Sequence, residues 1–123
     1  GSFNEAVQYA LDYAPAHGLT SVSPYDNPDI IAGQGTCGLE IADQLERFDA
    51  VVVPFGGGGL LAGVAVALAE IRPDTAVYGV RSAWATHPHP GAAPTDPVLR
   101  PLSIADGIGV KGVGVHTGPL VER

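Results

Sequence analysis

The sequence predicts an α/β fold, a three-layer arrangement with helices covering both faces of a parallel sheet. Three observations carry this. Segments with helical and strand character alternate between residues 3 and 81. The strand segments are apolar throughout, the pattern of strands covered on both faces. One strand then enters a helix through four consecutive glycines, 56–59. Alternation of this kind builds parallel sheets with right-handed crossovers.

Taken in order, Phe3, Ala6, Val7, Ala10, Leu11 and Ala14 recur on one helical face, and Gly18 stops that helix. The stretch LTSVSPY (19–25) favours a short strand closed by Pro24. DNPDIIAGQG reads as a loop, punctuated by Asn27-Pro28 and two glycines. A second helix is expected from about Thr36, its candidate N-cap, to Arg47, with Leu39, Ile41, Ala42 and Leu45 inward. DAVVVPF is a wholly apolar strand, Leu60 to Ile71 a third helix ended by Arg72-Pro73-Asp74, and TAVYGV the next buried strand. Beyond Arg81 the pattern decays. Residues 82–101 carry five prolines and cannot form a long regular element. The tail from Ser103 has short apolar pieces between glycines, read as loop with a fragment of strand. Residues 3–123 thus form one partial domain, with its core over 3–81 and an irregular part over 82–123. Residues 1–2 read as a cloning scar and are set aside.

Composition bounds the function. The chain has 123 residues, 46% hydrophobic and only 15% charged, which favours a folded domain over a disordered one. The net charge of −7 sits almost wholly in residues 1–50, where eight acids face Arg47 alone. Nucleic-acid binding needs a basic face, and none is present. No run approaches the roughly 20 apolar residues of a membrane span. The single cysteine, Cys37, permits no internal disulfide, fits a reducing, cytoplasmic setting, and reads as a small buried hydrophobe.

The chemistry is concentrated in VVVPFGGGGLLAG (51–63). A buried strand delivers the chain to the carboxyl edge of the sheet, and a helix starts just after the glycines. Backbone N–H groups at a helix start are unpaired and carry positive partial charge, so they hold anions. Glycines let a phosphate come close where side chains would keep it away. A tight turn holding nothing needs only one or two glycines. Gly57-x-Gly59-x-x-Ala62 also matches the dinucleotide fingerprint, but where that fingerprint wants an acid for the ribose the chain has Arg81, which suits a 2′-phosphate. Both phosphate ligands stay open at this point.

Three ordered segments carry a more specific resemblance. VVVPFGGGGLLAG resembles the tetraglycine loop of fold type II pyridoxal-phosphate enzymes, especially threonine dehydratases and serine racemases. VSPYDNPDIIAGQGTCGLEI is similar to a segment these enzymes carry upstream of that loop, and IADGIGVK to one downstream. The resemblance implies a partial large domain of tryptophan synthase beta-like fold, with pyridoxal 5′-phosphate as cofactor. It implies that the N–H groups of Gly56, Gly57, Gly58, Gly59 and Leu60 hold the cofactor phosphate, and that Gly107 lies beside the pyridine ring.

The departures from that family shape the remaining expectations. Its members attach the cofactor to a lysine in a Ser-x-Lys motif far upstream. The only lysine here is Lys111, in different surroundings and read as an exposed charge. No catalytic residue is therefore assigned. Where serine racemases place a metal-binding acid, this chain has Arg81, and His87 and His89 lie in a proline-rich loop, so no metal site is expected. The expected function is to supply the phosphate-binding loop of a threonine/serine dehydratase-like ammonia-lyase, without catalysis by this chain alone. The expected partners are a missing upstream domain or further copies of the chain, with a small phosphate ligand and neither nucleic acid nor membrane. The alternatives are a stand-alone, non-catalytic phosphate-ligand-binding or oligomerisation module and an NADP-binding subunit.

Overall fold

The computed structural model describes residues 3–81, 104–110 and 112–122. Helix α1 (Phe3–Ala16) comes first. Gly18 ends it in the left-handed region, at φ +64. There the Gly18 and Leu19 N–H groups donate to the Pro15 and Ala14 carbonyls, a Schellman closure. Of the described residues on the expected inward face only Ala14 is buried and Leu11 is exposed, as are the neighbouring Tyr9 and Tyr13.

Residues 19–25 form no strand, contrary to expectation. The expected loop after them is instead the start of helix α2 (Pro28–Gln44), eight residues ahead of Thr36. The cause is local. Asn27 Oδ1 accepts the N–H groups of Asp29 (2.8 Å) and Ile30 (3.4 Å), and Pro28 stands in the first turn, where its missing N–H costs nothing. Thr36 is not a cap, and its hydroxyl donates to the Gly33 carbonyl at 2.7 Å inside the helix. Cys37 is exposed, a correction to its reading as buried. The helix phase turns Gly35 and Gly38 inward and leaves Cys37 on the outer side.

Strand β1 (Ala50–Pro54), helix α3 (Gly59–Ile71) and strand β2 (Ala76–Val80) follow. The two strands pair in parallel, with Val52 opposite Tyr78 and Pro54 opposite Val80. The core is Val53, Leu61, Val64 and Leu68, with Val77, Phe48 and Val51 against it. Helix α3 crosses α2 closely enough that a Cβ on Gly63 would stand 2.6 Å from Gly35 N and overlap the Ile31 carbonyl. Bare backbone lies on bare backbone at that crossing.

The opposite face of the sheet is open among the described residues. Val52 is 65% exposed, Tyr78 58% and Val80 50%. The described chain thus forms a parallel α/β unit with helices packed on one face. The strands are apolar on both faces because their sequence suits a sheet with two cover layers.

The described residues of the tail form no strand. It holds a 3₁₀ turn (Asp106–Ile108) and a short helix α4 (Thr117–Val121), which packs on α3. The proline-rich residues 82–101, with His87 and His89, and Lys111 lie outside the described residues. No helix among the described residues is long and apolar enough to cross a membrane.

Candidate functional site

The site grows out of the β1–α3 connection. The Phe55 N–H donates to the Val80 carbonyl (2.8 Å), extending the sheet ladder by one rung. The chain then turns through the glycines. Gly58 adopts φ +97, ψ −7, a left-handed conformation that side-chain-bearing residues resist, and it is the N-cap of α3. No side chain caps the helix there. The first intrahelical bond runs from Ala62 N–H to the Gly58 carbonyl (2.8 Å), so the N–H groups of the first turn have no partner within the helix.

Beside this helix end lies a cleft of about 390 Å³, within the usual range of small-ligand pockets. Gly56, Gly57, Gly58, Gly59 and Leu60 line one side. Gly107 lines it from the opposite segment, together with Ile108, Gly109 and Val110. Pro24, Tyr25, Gln34 and Pro54 complete the wall, so among the described residues no charged side chain lines the cleft. All six residues assigned to the cofactor by resemblance therefore surround one space. An anion there meets a helix N-terminus and, among the described side chains, no carboxylate, an environment that favours negative charge.

The glycines also serve packing against the protein itself, which the sequence argument missed. A Cβ on Gly57 would stand 2.5 Å from Tyr25 Cδ1, and one on Gly59 2.9 Å from the Tyr25 carbonyl oxygen. At Gly56 it would meet Val110 at 2.9 Å, and at Gly58 Thr117 Cβ at 3.0 Å. Tyr25 is held between the α1–α2 connection and the loop. Burial, and then the neighbouring Asp26 charge, pushes its phenol pKa up. Gly107 differs: a Cβ there would meet no described atom within 4 Å.

Tyr25, Asp26, Gln34 and Thr117 were not singled out from the sequence. The Asp26-Asn27-Pro28 run signalled a turn, but nothing in it showed that Asp26 reaches residues 115–117, about ninety positions away.

Arg81 follows β2. Its guanidinium lies 3.8 Å over the Phe55 ring, a cation–π contact. Its Nε is buried with no hydrogen-bond partner among the described residues, and burial lowers the Arg81 pKa without discharging it. Among the described residues, no group of three or more His, Cys, Asp and Glu is placed to hold a metal.

Fold and site define a class: a parallel α/β protein with a glycine turn, at the carboxyl end of one strand, opening a helix beside a neutral cleft. The chain belongs to the pyridoxal-phosphate dependent enzyme family, whose model matches residues 1–123. It is 39% identical over 123 residues to the L-threonine ammonia-lyase of Geobacter sulfurreducens, covering 98% of this chain and 31% of that protein. Among solved structures, a threonine deaminase from T.th. superposes with a TM-score of 0.84 at 32% identity, covering 100% of this chain and 42% of the other. Maize serine racemase superposes with a TM-score of 0.81 at 28% identity, covering 100% and 39%. The chain spans only 21% to 38% of the length of the first curated relatives it matches.

Proposed function

We propose that this chain supplies the cofactor-phosphate site of a threonine dehydratase-like lyase that converts a β-hydroxy amino acid to a 2-oxo acid and ammonia. The observation that carries this is the cleft at the α3 N-terminus, with Gly56, Gly57, Gly58, Gly59 and Leu60 on its wall and no charged side chain among its described lining residues. The N–H groups of those five residues bind the phosphate ester, and Gly107 leaves room for the pyridine ring. Pyridoxal 5′-phosphate fits these residues, because a dianion meets N–H groups and, among the described side chains, no carboxylate. Bound there, it supplies the electron sink that stabilises charge at Cα. The chain's own part is to hold and orient that phosphate.

Catalysis needs an amine nucleophile, and none is assigned within these 123 residues. The chain on its own is therefore a binding element. The sheet face that is open among the described residues, with Val52, Tyr78 and Val80 exposed, is covered in the working protein by an upstream domain or by further copies. Membership of the family, rather than the glycine spacing, favours the pyridine cofactor over a dinucleotide.

Calorimetric titration tests the reading. Pyridoxal 5′-phosphate is expected to bind, inorganic phosphate to compete with it, and pyridoxal, lacking the ester, to bind far more weakly. Equal affinity for the phosphorylated and dephosphorylated forms would refute the phosphate assignment. Dehydratase activity is expected only when the chain is joined by the remainder of an enzyme of this family.

A further inference from the structure

Outside the cleft wall, the Asp26 carboxylate accepts three backbone N–H groups. Its Oδ2 accepts the Val115 N–H at 2.8 Å, and its Oδ1 accepts the N–H groups of His116 (2.8 Å) and Thr117 (3.1 Å). Its own N–H donates to Ser23 Oγ at 2.9 Å, which fixes the turn it sits in. Gly114 lies so close that any Cβ would overlap the Asp26 carboxyl. One carboxylate thus bonds the α1–α2 connection to the last helix of the chain.

The tie continues to the glycine loop along two routes. Thr117 is 0% exposed, and its hydroxyl accepts the Gly114 N–H (2.7 Å) while donating to the Gly57 carbonyl (2.8 Å). In a trans peptide, a carbonyl pinned toward Thr117 turns the following N–H, that of Gly58, the opposite way. The second route is Tyr25, the residue before Asp26, which packs on Gly57 and Gly59.

We propose that Asp26 is a positioning residue for the phosphate site: by holding residues 115–117 it sets the Thr117 hydroxyl, which aims the Gly57–Gly58 peptide. This rests on the reading that the glycine loop binds the cofactor phosphate. Asp26 lies outside the cleft wall and acts through Thr117, without touching the ligand.

The test uses the full chain, with Asp26→Asn, Thr117→Val and the double variant. Each is titrated with pyridoxal 5′-phosphate and with inorganic phosphate, following the Gly58 amide resonance. Thermal melts verify that each variant is folded at the assay temperature. Each single change is expected to weaken binding about tenfold, the scale of one charge-assisted hydrogen bond. The double variant is expected to lose no more than the worse single one, because the two residues form one chain of contacts. Thr117→Ser keeps the hydroxyl and is expected to restore both affinity and the Gly58 shift. Asp26→Glu, which keeps the charge but displaces it, is the second variant and is expected to bind as weakly as Asp26→Asn. Additive losses in the double variant would overturn the proposal, as would full affinity in folded Asp26→Asn. A wild-type chain that binds neither probe would overturn the phosphate reading itself, and this role with it.

Discussion

Gly107→Asp isolates the electrostatics of the cleft. Gly107 lines it, and a Cβ there meets no described atom within 4 Å, so the substitution adds charge at the cleft wall with little steric cost at its first atom. The same change at Gly58 would mix charge with backbone strain at φ +97 and a clash with Thr117. A sphere of the cleft's volume, 390 Å³, is about 9 Å across, which bounds the separation of the carboxylate and a phosphate dianion. At about 9 Å, a charge of −1 facing −2 costs about 1 kcal/mol in a water-like dielectric and about 4 kcal/mol at an effective value near 20. The open cleft places the expectation toward the lower end, a tenfold to thirtyfold weaker Kd for pyridoxal 5′-phosphate. Isothermal calorimetry at low and high salt measures it, and salt is expected to shrink the penalty. Gly107→Asn supplies the bulk without the charge and is expected to bind within about threefold of wild type, the spread of a mild contact change. If Asn weakens binding as much as Asp, or if Asp changes nothing, the anion site is elsewhere.

Three further outcomes follow from the packing. Gly63→Ala forces a Cβ against backbone of α2 and is expected to destabilise the fold by about 1–3 kcal/mol or more, read as a fall in the denaturant midpoint. Asn27→Ala removes the side chain that caps α2 and is expected to cost about 1 kcal/mol in the same assay. Burial alone would raise the Asp26 pKa, but the N–H groups of His116, Thr117 and Val115, with the His116 charge, hold it below 3.8; Tyr25 also faces this carboxyl. A depressed carboxyl stabilises the fold above its unfolded pKa and loses that contribution as pH falls through the folded value. The stability advantage of wild type over Asp26→Asn is therefore expected to be full near neutrality and to shrink below about pH 4, as read by urea melts across pH.

The sequence made the alternation of elements legible where the signal was a long apolar run: 50–54, 59–71 and 76–80 lie within a residue or so of expectation. It misled where glycine was taken as a breaker. Gly33 and Gly35 lie inside α2, because Asn27 and Pro28 start the helix early and Gly35 faces α3. LTSVS has β-favouring residues but pairs with no strand among the described residues, so propensity alone did not make it one. The glycine loop was found because four glycines in a row are costly without cause. What each glycine faces was hidden, since Tyr25 and Thr117 arrive from distant parts of the chain. The Asp26 contacts were hidden for the same reason.

The meeting of Gly35 and Gly63 has a mechanical consequence. Where side chains separate two helices, rotamer changes let the axes slide by fractions of an ångström. Here main chain rests on main chain, and that freedom is gone. The amides that open α3 sit one turn from that contact, so their aim inherits the stiffness of the backbone. Substitutions on the outer surfaces of either helix should leave the mouth of the cleft where it is.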